Sequence, residues 1–376
     1  MIYLDNSATT RIDDEVVDAM LPWLREGYGN ASSQYELGRR ARVVIEQART
    51  EIASLLGAHP AELMFTSGGT ESNNAILKSM CQESKLVDQL AVGATEHHAV
   101  LHVADALASC GVDVYALPVD NAGRIVVGDV AARNTPRTLI SVMHANNETG
   151  AMQPIEAVRS SAPDAYLHTD AVQSFGKVPV RVHDLGIDLA TISAHKIHGP
   201  KGIGAMFIRK GIDFKAHQHG GAQERNRRAG TEPTALIVGF QHAARRAVAQ
   251  MQARERHMRS CIDLARTLIS AQIPDVRFNT PHEASLPNIL NISFLDAERL
   301  DGEAILQQMD IAGVCVSNGS ACVSGSMQPS HVLSAMGLPA AEARAAVRFS
   351  VSKDTTHEEV ETAVAICADI IRKLRV

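Results

Sequence analysis

Asp188-Leu189-Ala190-Thr191-Ile192-Ser193-Ala194-His195-Lys196 is the stretch on which the fold turns. A short apolar run without polar alternation predicts a strand buried on both faces. Outward from it lie further runs of the same kind: Leu63–Thr66, Leu90–Val92, Val112–Leu117, Leu139–Met143, Tyr166–His168 and Ala205–Ile208. Helical stretches alternate with them, which predicts βαβ units in an α/β protein with a mostly parallel seven-stranded sheet flanked by helices. Two amphipathic helices precede the alternation. Asp13 or Asp14 can cap the first, whose positions Val16, Val17, Met20, Leu21 and Leu24 share a face. The second buries Ala41, Val44, Ile45, Ala48, Ile52, Leu55 and Leu56. From about Ala235 a helical pattern runs with few breakers to about Ile273, long enough to join two domains. The expected division is a large domain, residues 13–250, and a smaller α+β domain, residues 1–12 plus 251–376.

Composition narrows the function classes. With 376 residues and a formal net charge of −6, the chain lacks the basic excess of a nucleic-acid binder. The arginines between Arg245 and Arg266 sit on the long helical pattern and read as a solvated helix face. No segment approaches eighteen consecutive apolar residues, so no membrane span is expected. The opening Met1-Ile2-Tyr3-Leu4-Asp5-Asn6 lacks the basic and apolar regions of a signal peptide, so a cytoplasmic location is expected. The six cysteines (Cys81, Cys110, Cys261, Cys315, Cys322 and Cys367) form no Cys-x-x-Cys pair and should be reduced thiols. His98 and His102 stand four apart but lack an intervening His-Glu-x-x-His pattern and an obvious third ligand, so no metal is expected.

Three signals carry chemistry. In Phe65-Thr66-Ser67-Gly68-Gly69-Thr70-Glu71-Ser72-Asn73 a strand runs through two glycines into a helix, a turn whose amides can cradle an anion. In Leu167-His168-Thr169-Asp170, the aspartate falls where a buried strand ends and needs a partner there. Lys196 follows 26 residues later, again past a buried strand, where desolvation favours the nucleophilic neutral amine. Each alone has a plain reading: a tight turn, a helix cap, a snorkelling lysine. Together they supply what pyridoxal 5′-phosphate requires: a phosphate cradle, a carboxylate against the pyridinium nitrogen and a lysine for covalent attachment.

At these residues the chain resembles the fold-type I pyridoxal-phosphate enzymes, and within them the cysteine desulfurases of the NifS/IscS kind. The resemblance is carried by Tyr3–Thr10, Thr66–Asn74, Thr95-Glu96-His97-His98, His144-Ala145-Asn146-Asn147-Glu148-Thr149-Gly150, Thr169–Ser174, Ser193–Gly204, Arg228–Pro233, Ser317–Gly325 and Val347–Ser350, nearly the whole chain. It implies that Lys196 holds the cofactor and moves protons at the substrate carbon. Asp170 would pair with the ring nitrogen and Gln173 with the ring oxygen. Gly69, Thr70, Ser193 and His195 would bind the phosphate, joined by Thr231 from the other subunit of a homodimer. His97 would stack on the ring and accept the substrate thiol proton, a task suited to imidazole. Asn147 and Arg348 would hold the carboxylate of L-cysteine.

Cys322 lies in Ser317-Asn318-Gly319-Ser320-Ala321-Cys322-Val323-Ser324-Gly325, small and polar residues that do not pack as a core strand. The resemblance makes it the acceptor of the substrate sulfur, carried as a persulfide on a loop spanning about 317–330 and passed to a sulfur-acceptor protein. Iron–sulfur cluster assembly and tRNA or DNA thio-modification both remain open as destinations. A selenocysteine lyase or other fold-type I enzyme, and an inactive homologue acting as a scaffold, are the alternatives. Tyr35 stands where the family commonly has a histidine.

Overall fold

A computed structural model describes residues 1–319 and 328–375. Each of the seven apolar runs forms a strand of one sheet: β1 (Leu63–Thr66), β2 (Gln89–Gly93), β3 (Asp113–Leu117), β4 (Thr138–Ser141), β5 (Tyr166–Asp170), β6 (Leu189–Ser193) and β7 (Gly204–Ile208). Their order is β1-β7-β6-β5-β4-β2-β3. The pairs among β2 to β6 are parallel, whereas β7 runs antiparallel to both β6 and β1. β6 and β7 are buried along their whole length, as an uninterrupted apolar run requires.

Helices cover both faces. On one, Phe65, Ile140, Leu167, Ile192 and Phe207 pack with apolar residues of α1 (Asp14–Arg25), α2 (Glu36–Leu56) and a later helix, Thr234–Ala249. On the other, Met64, Leu90, Leu139, Leu189 and Met206 pack against α3 (Gly69–Lys78) and α4 (His98–Ser109). Every parallel strand from β2 to β6 therefore points its carboxyl end the same way, where ligands of such sheets bind.

A separate apolar cluster gathers Leu4, Met258, Ile262, Ile292, Phe294, Phe349, Val364 and Cys367. It is built from a three-stranded antiparallel sheet, Val276–Phe278, Ile289–Phe294 and Val347–Ser350, with the helices Met251–Gln272 and His357–Leu374. The first residues join it, because Ile2–Tyr3 pairs in parallel with Val314–Cys315.

Several details depart from expectation. The helical pattern from Ala235 to Ile273 is two helices, interrupted at Gln250 (φ −103°, ψ 7°). Periodicity alone does not reveal a break that preserves the apolar stripe. The arginines there are not simply solvated: Arg254 is buried, and both it and Arg246 turn toward the Asp13 carboxylate. Asp13 does precede α1, but its carboxylate binds Lys353 (2.9 Å) instead of capping the helix. Leu24 lies exposed at the end of α1.

Charge also enters the core. Arg49 of α2 is fully buried and makes a bidentate pair with buried Glu224 (2.6 and 2.9 Å), which also accepts from the Phe65 amide at the third position of β1. Removing one partner of such a pair strands the other in low dielectric. Glu224→Ala is expected to lower unfolding free energy by about 3–5 kcal/mol, read as a lower urea midpoint at unchanged slope.

Candidate active site

The carboxyl ends of β5 and β6 open into a cavity of about 390 Å³. Its wall includes Gly69, Thr70, His97, Asn147, Asp170, Gln173, His195, Lys196 and Arg348, brought together from positions 279 residues apart. Ser193 ends β6 but is buried behind that wall, and Thr231 is exposed and outside it. Cys322 lies outside the described residues. Ser317 and Gly319, just before it, do line the cavity.

Local sequence explains the placements. At Gly69 a Cβ would come within 2.9 Å of the Val172 side chain, so only glycine lets the start of α3 approach the end of β5. The first-turn amides of α3 have no partners within the helix, and with the helix dipole they form an anion site. Asp170 is buried; its Oδ1 accepts from the Val172 amide (2.9 Å) and its Oδ2 from Asn73 Nδ2 (2.7 Å). Among the described residues no cation pairs with it. A buried carboxylate held by two neutral donors has room for a cationic partner, which a pyridinium nitrogen supplies.

Lys196 sits in a 3₁₀ turn directly after β6, its Nζ donating to the carbonyls of Ser7 and Ala8 (2.7 Å to the latter). Burial, aided by the nearby Arg348 guanidinium, lowers its ammonium pKa to about 8. The free amine, the form that attacks an aldehyde, is therefore abundant far below the ordinary lysine range. Covalent capture of pyridoxal phosphate by apo-protein should accelerate through a midpoint near pH 8 and level off above it. Stopped-flow absorbance across pH 6–10 would check this. A midpoint above pH 10 would contradict the assigned environment.

His97 precedes α4 and accepts the Ala99 amide on Nδ1 (3.1 Å); burial lowers its pKa, keeping the ring neutral. His195 is depressed further, to about 4, by burial and by Lys196. Arg348 is buried, its Nη1 on the Asn147 carbonyl (2.9 Å) and its Nη2 on Asp5. Among the described residues its Nε has no partner.

Sequence reasoning assigned no role to four residues that complete this picture. Asn73 stands one helical turn after Gly69, a spacing that could have revealed it. Asp5 holds Arg348 from the far end of the chain. Lys177 is buried and donates to the Gln173 carbonyl (2.9 Å) and to Gln173 Oε1 (3.1 Å). That contact turns the Gln173 amide nitrogen toward the Ser7 carbonyl (2.9 Å). Burial lowers the Lys177 pKa to about 7. Glu148 lies beside Asn147 and touches the wall at Gly319. Only its neighbour had drawn notice.

Three histidines cluster: His98 lies 4.7 Å from His102 and 4.6 Å from His331 between ring centroids, with the rings tilted. Elsewhere, Asp13, His198 and Asp354 bring potential metal-ligand atoms within 4.8 Å of one another. Asp13 is already engaged by Lys353, Arg246 and Arg254, so this cluster reads as an ion-pair network.

A mostly parallel α/β sheet whose strand ends gather a helix-terminal anion cradle, a buried carboxylate held by neutral donors and a desolvated lysine defines a pyridoxal-phosphate enzyme of fold type I. The chain belongs to the aminotransferase class-V family, whose model matches residues 2–362, and its cofactor is pyridoxal 5′-phosphate. Over its whole length it is 43% identical to cysteine desulfurase IscS of Dictyoglomus turgidum, covering 95% of that protein. It is 42% identical to cysteine desulfurase NifS of Azotobacter vinelandii, covering 93%. Among solved structures, a NifS-like protein superposes with a TM-score of 0.91 at 36% identity, covering 99% of both chains.

Proposed function

We propose that the protein is a cysteine desulfurase, converting L-cysteine to L-alanine while Cys322 takes up the sulfur as a persulfide. The observation that carries this reading is the convergence of Lys196, Asp170, the α3 amides and Arg348 on one cavity, whose wall includes residues immediately before Cys322.

The cofactor, when bound, supplies an electron sink that lets the substrate lose its Cα proton and its carbon–sulfur bond. Asp170 holds the ring nitrogen protonated and Gln173 donates to the ring oxygen. Gly69, Thr70, Ser193 and His195 take the phosphate. Arg348 and Asn147 bind the cysteine carboxylate, Arg348 through its cationic edge. Lys196 carries the proton at the substrate Cα. Neutral His97 takes the substrate thiol proton on Nδ1, its one basic nitrogen, as the Ala99 amide releases it. The Cys322 thiolate attacks the substrate sulfur. A sulfur–sulfur bond forms as the carbon–sulfur bond breaks, its electron pair remains with carbon, and protonation there yields alanine.

The working form is a homodimer in which Thr231 completes the partner's phosphate site. In support, Thr231 lies exposed and away from its own cavity. The chain divides into domains at about residue 250, with 1–12 joining 251–376, in keeping with the separate apolar clusters and the interruption at Gln250. The persulfide passes to an acceptor protein serving iron–sulfur assembly or thio-modification. Free thiols at Cys81, Cys110, Cys261, Cys315 and Cys367 support a reducing, cytoplasmic setting.

The test is borohydride reduction of holo-protein, peptide mapping, and product analysis with L-cysteine. A pyridoxyl group on Lys196, with alanine and sulfane sulfur in equal amounts, is the expected result. Label on another lysine, or a keto acid in place of alanine, would refute the reading.

A further inference from the structure

Glu148 is a buried carboxylate that the mechanism above leaves unused. Its Oε2 accepts the hydroxyl of Ser330, which also caps the following helix through the Leu333 amide (3.2 Å). The same oxygen leaves room only for glycine at position 319, where an added Cβ would lie 2.7 Å away. Gly319 itself adopts φ +90°, a conformation natural to glycine. Gly319 is the last described residue before Cys322, and Ser330 follows shortly after it. One carboxyl thus bonds Ser330 on one side of the cysteine segment and lies close beside Gly319 on the other.

The surroundings tie this contact to the substrate end of the cavity. Ser317 bridges Arg348 through backbone hydrogen bonds and its hydroxyl accepts the Gly319 amide (3.0 Å). Arg348 in turn bonds the carbonyl of Asn147, the residue preceding Glu148. Asn291 steadies the Glu148 carbonyl (3.3 Å). Burial raises the Glu148 carboxyl to about 7, opposed by Ser330 and Arg348.

From this geometry we propose that Glu148 is a positioning residue for sulfur transfer, clamping the two ends of the Cys322 segment at the substrate-carboxylate side of the cavity. The proposal rests on Cys322 being the sulfur acceptor. A nucleophile whose anchor points slip by about 1 Å loses up to about 10²-fold in rate, whereas cofactor attachment and substrate binding, made by other residues, do not depend on those anchors.

The experiment compares two rates in holo-protein mixed with L-cysteine: the absorbance change of the cofactor, and the appearance of labelled persulfide on Cys322 by mass spectrometry. Glu148→Ala should slow persulfide formation about tenfold or more while leaving the absorbance change within about twofold. Glu148→Gln, which still offers Ser330 an acceptor oxygen, should recover most of the loss. Ser330→Ala, which removes the partner on the opposite side of the segment, should slow the same step and serves if Glu148→Ala does not fold. Equal slowing of both rates, or of neither, would overturn the clamp while leaving the desulfurase reading intact. A wild-type protein with no persulfide on Cys322 would overturn both.

Discussion

Lys196→Ala is expected to yield a folded protein that forms alanine from L-cysteine at least about 10³-fold more slowly than wild type. Covalent attachment of the cofactor should vanish with it, leaving borohydride nothing to trap. The effect is large because no neighbouring amine can substitute. Lys177 is a nearby candidate, but both of its hydrogen bonds go to Gln173, and it is not part of the cavity wall. Folding should survive. Lys196 is desolvated and feels the positive charge of Arg348, so its removal relieves a burden on the native state. The thermal midpoint of the apo-variant should equal or exceed that of apo-wild type. A variant that keeps wild-type turnover would show that the cofactor is held elsewhere.

The second large effect is expected from Cys322→Ser. A hydroxyl is far less nucleophilic than a thiolate toward sulfur, so sulfane sulfur should not accumulate on the protein and turnover should fall by at least about 10²-fold. The cavity residues that bind cofactor and substrate are untouched by this change. Cofactor content and the absorbance response to L-cysteine should therefore match wild type. Loss of cofactor along with activity would mean that the cysteine serves the fold, and the transfer role would then be withdrawn. Paired with Lys196→Ala, the variant separates the step that activates the substrate from the step that removes its sulfur.

Much of this arrangement was legible beforehand because burial leaves a mark on composition. β6 and β7 are covered by helices or other strands on both faces, so their residues read as unbroken apolar runs and were found as such. Asp170 and Lys196 stood out because a charged residue directly after such a run is costly without a purpose. Asp5 and Lys177 gave no comparable mark. Asp5 follows only a two-residue strand, and Lys177 lies in a loop beyond Gln173 with no strand immediately before it. The Asp13 carboxylate misled for a related reason: its position before a helix suggests a cap, yet three distant cations compete for it more strongly.

Local sequence by itself determined the seven strands, the helices between them and the chemical identity of the groups at the strand ends, since each depends on periodicity and residue type within a few positions. The tertiary structure alone decided that β7 runs against its neighbours, that Asp5 holds Arg348 across 343 residues, and that Glu148 meets both Gly319 and Ser330. Such contacts arise where separately folded segments are packed against each other, and a pattern confined to one segment carries no trace of its partner.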